Sequence, residues 1–173
     1  MANTTFDGPV RSKNGFINIG PGMTKSLTAD TSLTVADHAG RILLLNDADG
    51  KFTLPSINVN ADSAVAGPGS DPNNLNNIGA SFYFYVETLA TDLDIKTDGT
   101  DKFTGAVIIA VNDGSKKAFV PGATNNVITM TGTTKGGIVG SVLQITAIDT
   151  ANYLVHNSLL IGSGSIETPF ADA

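Results

Sequence analysis

Turn-forming residues divide this sequence into short apolar segments, and that division is the strongest constraint on its fold. Segments 41–46, 52–54 and 103–111 are rich in aliphatic and aromatic residues, and clusters of Gly, Pro, Asp and Asn separate them. Residues 112–114 (Asn-Asp-Gly) are typical of a β-hairpin turn, because Asn and Gly tolerate the positive φ that such turns need. No segment has the apolar period of a helix longer than about two turns. The sequence therefore predicts an all-β protein: a single β-sandwich or β-barrel domain with an extended N-terminal arm.

The clearest strand signal is an alternating aromatic segment. Phe82, Phe84 and Val86 would share one face of the strand, and Tyr83 and Tyr85 the other. We expect the first set to lie in the core and the two tyrosines to lie off the core face.

Two further interpretations concern the order of the strands. Residues 33–35, 41–46 and 52–54 are predicted to form a short meander. Residues 159–161 (Leu-Leu-Ile) are predicted to form the last strand, after which the chain leaves the domain.

The chain divides into an arm, a domain and an inserted loop. Residues 1–30 are broken by glycines and prolines and have too few apolar residues to pack alone, which predicts an extended N-terminal arm ordered by a neighbour. A disordered tail is the alternative. Residues 31–173 are predicted to form the β domain. Within it, residues 56–79 are rich in Pro, Gly and Asn without a regular period, which predicts a long inserted loop.

Composition excludes several classes of function. Ten Lys and Arg stand against sixteen Asp and Glu, a net charge of −6 that argues against nucleic acid or an anionic membrane as a partner. There is no cysteine, hence no disulfide and no thiolate metal site. The longest apolar runs, 42–45 and 106–111, are far shorter than the about 20 residues that span a bilayer. The first residues lack a secretory signal pattern, so we expect synthesis in a cytoplasm.

The candidate chemical motifs are more typical of turns than of sites. Residues 162–167 (Gly-Ser-Gly-Ser-Ile-Glu) lack the third glycine and the helix of a dinucleotide-binding loop. Residues 47–50 and 98–101 each offer two carboxylates but lack the length and closing Glu of a calcium loop, so Asp-Gly turns are favoured. His38 and His156 are expected to be ordinary loop or rim residues. The sequence thus predicts no catalytic residue, no metal site and no cofactor, and a protein that is not an enzyme.

The opening segment carries a resemblance to a known group of proteins. Residues 1–16 (Met-Ala-Asn-Thr-Thr-Phe-Asp-Gly-Pro-Val-Arg-Ser-Lys-Asn-Gly-Phe) resemble the start of small structural proteins of tailed bacteriophages, especially marine phages and cyanophages. Residues 33–41, 101–105 and 162–170 are similar to the same group. The resemblance implies a capsid decoration (cement) protein, a homotrimer on the outside of the virion head that locks neighbouring subunits of the major capsid protein together.

On this resemblance the arm would bind the capsid. Strand addition suits such an arm, because backbone hydrogen bonds supply affinity and alternating pockets supply register. Apolar anchors and two basic residues that pair with acidic capsid groups would make the contact. These expected capsid-binding residues are Phe6, Val10, Arg11, Lys13, Phe16, Ile17 and Ile19.

Two other functions compete with this hypothesis. A head-fibre or tail-associated protein involved in host-surface adhesion would use exposed aromatic residues to bind glycans, and Tyr83 and Tyr85 are the candidates. A small hydrolase would need a triad built on His38 or His156, for which the sequence offers no constellation.

Overall fold

The computed structural model describes residues 20–57 and 77–173. This part of the chain is nearly all β-structure, which confirms the predicted fold class; its one α-helix is α1 (Val35–His38), and a short 3-10 turn covers Pro21–Met23. The strands are β1 (Thr24–Leu27), β2 (Thr31–Ser32), β3 (Ile42–Leu45), β4 (Lys51–Thr53), β5 (Ser81–Val86), β6 (Leu93–Lys96), β7 (Lys102–Gly105), β8 (Val107–Val111), β9 (Lys116–Phe119), β10 (Val127–Met130), β11 (Val142–Ala147), β12 (Asn152–Gly162) and β13 (Phe170–Ala171).

The strands form two sheets packed face to face, so the domain is a β-sandwich. The larger sheet has the order β1-β3-β5-β11-β12-β8-β9, with β7 also paired to β12; the smaller sheet has the order β13-β10-β6-β4-β2. One continuous apolar cluster fills the space between them. Its largest fully buried side chains include Phe52 from the smaller sheet and Phe82, Phe84 and Tyr153 from the larger one.

The first six strands alternate between the sheets. β1, β3 and β5 are parallel neighbours in the larger sheet, and β2, β4 and β6 are parallel neighbours in the smaller one. Parallel neighbours need a crossover connection, and here a strand of the opposite sheet supplies it in place of a helix. The predicted meander of 33–35, 41–46 and 52–54 is therefore wrong, because β3 and β4 lie in different sheets.

The alternating segment behaves as its pattern predicts. In β5, Phe82, Phe84 and Val86 are buried in the core, whereas Tyr83 is 41% exposed and Tyr85 is half-buried. Burial of side chains of this size stabilises the fold by roughly 1.5–3 kcal/mol each. The turn at 112–114 likewise joins the antiparallel strands β8 and β9, as predicted.

A short helix replaces the strand expected at residues 33–35. Thr34 has extended backbone angles, and its hydroxyl accepts a hydrogen bond from the backbone N–H of Asp37 at 3.3 Å. This is the geometry of a helix N-cap, which satisfies one of the free N–H groups of the first turn. The helix then begins at Val35, although the alternation of Leu33 and Val35 with polar residues predicted a strand there.

Both ends of the described chain belong to the sandwich. Leu27, within the segment assigned to the arm, is buried, and its strand β1 pairs with β3. At the other end, the chain does not leave the domain after 159–161, because those residues continue β12 and β13 later pairs with β10. Phe170 of β13 is buried, and its ring lies 6.5 Å from that of Phe103.

β12 contains a bulge that shapes the centre of the larger sheet. Its register to β11 shifts by one residue between His156 and Leu159, and Asn157 has a φ of 46°. On the other side of β12 the chain kinks at Gly105, with a φ of 95°, so that β7 and β8 pair with β12 on either side of the bulge. Such bulges bend a strand and redirect its side chains.

We expect Gly105→Ala to lower the free energy of unfolding by roughly 3 kcal/mol, because positive φ is strained for alanine and the added methyl would overlap the carbonyl oxygen of Val155. Gly114→Ala is the matched control: its φ is also positive, at 86°, but no atom lies within 4 Å of the new Cβ. That control should cost only about 1 kcal/mol in urea denaturation. Equal losses in the two variants would contradict the steric argument.

Candidate interaction surface

The capsid-binding residues expected from the resemblance lie outside the described residues. They are Phe6, Val10, Arg11, Lys13, Phe16, Ile17 and Ile19. The described chain begins at Gly20, just before the edge strand β1, whose Thr24 lies opposite Ile42 of β3. Most of the predicted loop 56–79 also lies outside the described part, which stops at Ile57 and resumes at Asn77.

The most distinctive surface of the described chain is the outer face of the larger sheet, where apolar side chains point away from the core. Five of its large hydrophobic residues have exposed fractions between 37% and 45%, and two more are half-buried. We call this surface the apolar face; it consists of Ile42, Leu44, Tyr83, Tyr85, Ile108, Val142 and Leu159.

The strand register aligns these residues across the sheet. Leu44 lies opposite Tyr85, Tyr85 opposite Val142, and Val142 opposite Leu159. Leu159 precedes Leu160, which pairs with Ile109 of β8, and this brings the preceding Ile108 to the end of the same row. Directly opposed side chains lie about 5 Å apart and can contact one another. The apolar face is thus a continuous stripe over five neighbouring strands.

A shallow groove in the apolar face contains two amide side chains among its apolar lining residues. The groove has a volume of about 310 Å³ and is lined by Ile42, Tyr83, Val142, Gln144 and Asn157, among others. The bulge positions the Asn157 amide to donate a 2.8 Å hydrogen bond to Gln144 Oε1. Gln144 is itself buried, and this bond gives its amide oxygen a partner within a largely apolar surface.

Charge separates the outer faces of the two sheets. The four adjacent strands β3, β5, β11 and β12 contain no Asp, Glu, Lys or Arg. On the smaller sheet, by contrast, Lys51 Nζ lies 3.0 Å from a carboxylate oxygen of both Asp92 and Asp94. Thr129 Oγ1 donates to the other oxygen of Asp94 at 2.7 Å. The smaller sheet therefore has the polar outer face of a strand layer in water, and the larger sheet does not.

The two histidines are not loop or rim residues, so that prediction is wrong. His38 lies in α1 and is buried, and its Nδ1 accepts a hydrogen bond from the backbone N–H of Thr34 at 2.9 Å. His156 lies in the middle of β12, where Nε2 is 2.9 Å from the hydroxyl of Thr146. No hydrogen bond joins either histidine to a carboxylate within the described part of the chain.

The acidic turn at 98–101 holds the base of the inserted loop. Ser56 Oγ donates to Asp98 at 2.6 Å, the Ile57 N–H donates to Asp101 at 2.7 Å, and the Asn77 amide donates to the Ser56 carbonyl at 2.7 Å. Burial opposes ionisation of Asp98, but hydrogen bonds from Ser56 and from the turn itself outweigh it and hold its pKa at about 2. Over residues 20–57 and 77–173, no cluster of three acidic or histidine side chains could hold a metal ion.

His38 should make stability depend on pH. The hydrogen bond from Thr34 places the ring proton on Nε2, which is buried with no partner in the described structure. Burial, and next the positive charge of Lys25, lower the pKa of His38 below 6.5. As the pH falls, the unfolded chain takes up the proton first, so the free energy of unfolding should decrease below about pH 6.5 until the folded pKa is reached.

The variant His38→Gln tests this prediction. Its amide oxygen can still accept the Thr34 hydrogen bond but cannot titrate, so its unfolding free energy should fall less than the wild type's between about pH 7 and pH 5. His156 is present in both proteins, so its contribution cancels. Parallel curves from urea denaturation over this range would contradict the prediction.

Sequence reasoning missed most of the apolar face. Tyr83 and Tyr85 were expected off the core face, but Ile42 and Leu159 lie in continuously apolar segments, whose pattern does not distinguish an outward face from the core. The signal that could have found them is the absence of charge from four strands of a chain with a net charge of −6.

Comparisons with known proteins add no identification: the chain matches no protein-family model, no curated protein and no solved structure. None of the helices in the described residues is long and apolar enough to cross a membrane.

Proposed function

We propose that this protein is a capsid decoration protein of a tailed bacteriophage. On this proposal it binds the outer surface of the virion head as a homotrimer and stabilises the head by joining neighbouring major capsid protein subunits. The observation that supports a binding role is the apolar face, an uncharged surface over five strands. The largest apolar patch on a soluble protein is often functional, and patches larger than a few hundred Å² mark interaction sites. The identity of the partner rests on the resemblance of residues 1–16.

The arm supplies the capsid contact in this proposal. Phe6, Val10 and Phe16 are the apolar anchors, and Arg11 and Lys13 pair with acidic groups on the capsid. Ile17 and Ile19 extend the apolar contact towards the domain. The arm joins the domain just before the edge strand β1, so it starts from the rim of the larger sheet and can reach a neighbouring surface without unfolding the sandwich.

The surroundings of the histidines favour binding over catalysis. A triad needs a histidine oriented by a third group, usually a carboxylate, and exposed to a nucleophile. His38 is buried with its Nδ1 engaged by the backbone, and His156 is engaged by Thr146 within the sheet. Neither arrangement offers an activated nucleophile to a substrate.

Host-surface adhesion is the second candidate, and one observation favours it. Tyr83 and Tyr85 both point outward beside the Gln144–Asn157 amide pair. Aromatic rings next to hydrogen-bonding amides are suited to sugar rings, which present apolar faces and polar edges. A virion fibre or tail protein would use this groove for glycans rather than for protein.

Deletion of residues 1–19 tests the decoration proposal. We expect it to abolish binding to bare or expanded heads, because the arm anchors are removed, while the sandwich stays folded by circular dichroism and thermal melting. The double variant Phe6→Ala/Phe16→Ala should weaken binding at least about 30-fold. Thr4→Ala/Asn14→Ala is the control within the same arm and should leave head occupancy unchanged in electron micrographs.

Two results would count against the proposal. Unchanged head occupancy after the deletion would remove the arm from the mechanism. Strong binding of the isolated protein to host polysaccharide, lost in Tyr83→Ala/Tyr85→Ala, would favour adhesion in its place.

A further inference from the structure

We infer that the apolar face is the surface through which copies of this chain associate, packing against the apolar faces of neighbouring copies. The inference deepens the proposed function. It rests on that proposal only for the number of associated copies, which is three. The arm would then remain free for the capsid, and the sandwich would supply the contacts between subunits.

The residue pattern of β3 is the first argument. Its four residues, Ile-Leu-Leu-Leu, are apolar on both faces, and it lies between the parallel neighbours β1 and β5. Such strands are typical of sheets covered on both sides. Within residues 20–57 and 77–173 of a single copy, only the inner face of β3 is covered, by the core, while Ile42 on the outer face is 43% exposed. A second layer of protein over this face completes the burial that the pattern indicates.

Charge indicates which protein supplies that layer. Each copy has a net charge of −6, so two copies repel each other unless they meet through surfaces that carry no charge. Strands β3, β5, β11 and β12 provide such a surface, because their only ionisable side chains near neutral pH are histidine. A basic or acidic partner would find no complementary charge on these strands, whereas the same uncharged face of another copy adds no local repulsion.

The polar groups of the face also suit a symmetric contact. Gln144 and Asn157 bond to each other, and Thr146 Oγ1 engages both Ser81 and His156. Under apolar packing, Gln144 Oε1, Asn157 Nδ2 and Thr146 Oγ1 would therefore keep their partners. Tyrosine adds a large apolar surface with a polar tip, which is why it is enriched at protein interfaces. Tyr83 and Tyr85 bring both properties to the groove.

The edges of the larger sheet are less suited to association. β1 is only four residues long, and β9, at the other edge, carries Lys116 and Lys117. Short edges and lysine side chains both discourage strand addition between copies. The face is therefore the surface through which this sheet can associate.

The size of the face sets the expected strength of association. Five strands at about 4.8 Å spacing and about 17 Å length give roughly 400 Å² per copy. Contact between two whole faces then buries about 800 Å², less than the about 1,000 Å² that a stable interface exceeds, so the association belongs to the weak, transient class. In a closed ring of three copies each face is shared between two neighbours, so the assembly gains stability from closure of the ring and not from added area. We expect association that depends on concentration in the micromolar range.

Light scattering coupled to size-exclusion chromatography, from low micromolar to near-millimolar protein, tests the inference without any capsid. The wild type should associate. Val142→Asp and Leu159→Asp should each weaken association at least about 30-fold, because each buries an unpaired charge in the contact. Val120→Asp is the matched control: Val120 is 74% exposed but lies outside the apolar face, so this variant should associate as the wild type does. Thermal melting checks that all variants are folded.

Crosslinking gives a second measurement that does not depend on weakening the contact. The chain has no cysteine, so single variants report only on the position that is changed. Val142→Cys should form a disulfide between copies on oxidation, since Val142 lies at the centre of the face. Val120→Cys should not do so at the same protein concentration.

Three outcomes would overturn the inference. They are a wild type that is monomeric at every concentration, association unchanged by Val142→Asp and Leu159→Asp, and association that is lost when residues 1–19 are deleted although the face is intact. The last result would mean that the N-terminal segment of one copy, and not its apolar face, binds the apolar face of another copy. Association that depends on the face, in a protein that ignores phage heads, would support the inference and remove the proposed function.

Discussion

The pairing of β12 on both of its edges is the interaction on which the rest of the sandwich depends. Its eleven residues hold β11 on one side and β7 and β8 on the other. One extra residue near Asn157 is matched by a kink at Gly105, where a side chain would overlap the Val155 carbonyl. The same bulge brings the Asn157 amide to Gln144, and both side chains line the groove. The core and the candidate surface thus share one structural cause.

Local patterns predicted the strands better than their partners. The alternation in β5 and the Asn-Asp-Gly turn after β8 act between neighbours in sequence, and both are confirmed. The order of the strands depends on contacts that no local pattern encodes: β3 and β4 join different sheets, and β13 returns to β10. The strand expected at 33–35 fails because the Thr34 cap outweighs a weak alternation. Tertiary pairing and capping therefore account for the errors.

The candidate functional residues also include one group that the sequence predicted, the arm, and one that it missed, the apolar face. The arm residues were predicted through a resemblance and not from any local pattern of strand or turn. The apolar face was missed because Ile42 and Leu159 lie in segments that are apolar on both faces, which a sequence cannot distinguish from fully buried strands. Only the fold reveals that one of the two faces is open.

The apolar face and the arm would act together through multivalency. If the faces hold three copies together, each assembly presents three arms, and binding of the first arm raises the effective concentration of the other two near the capsid. Individual arm contacts can then be weak while the assembly remains bound. Because the face is small, association of the free protein depends on concentration, and arms bound on one capsid would in turn hold the faces together. Subunit association and capsid binding would therefore strengthen each other.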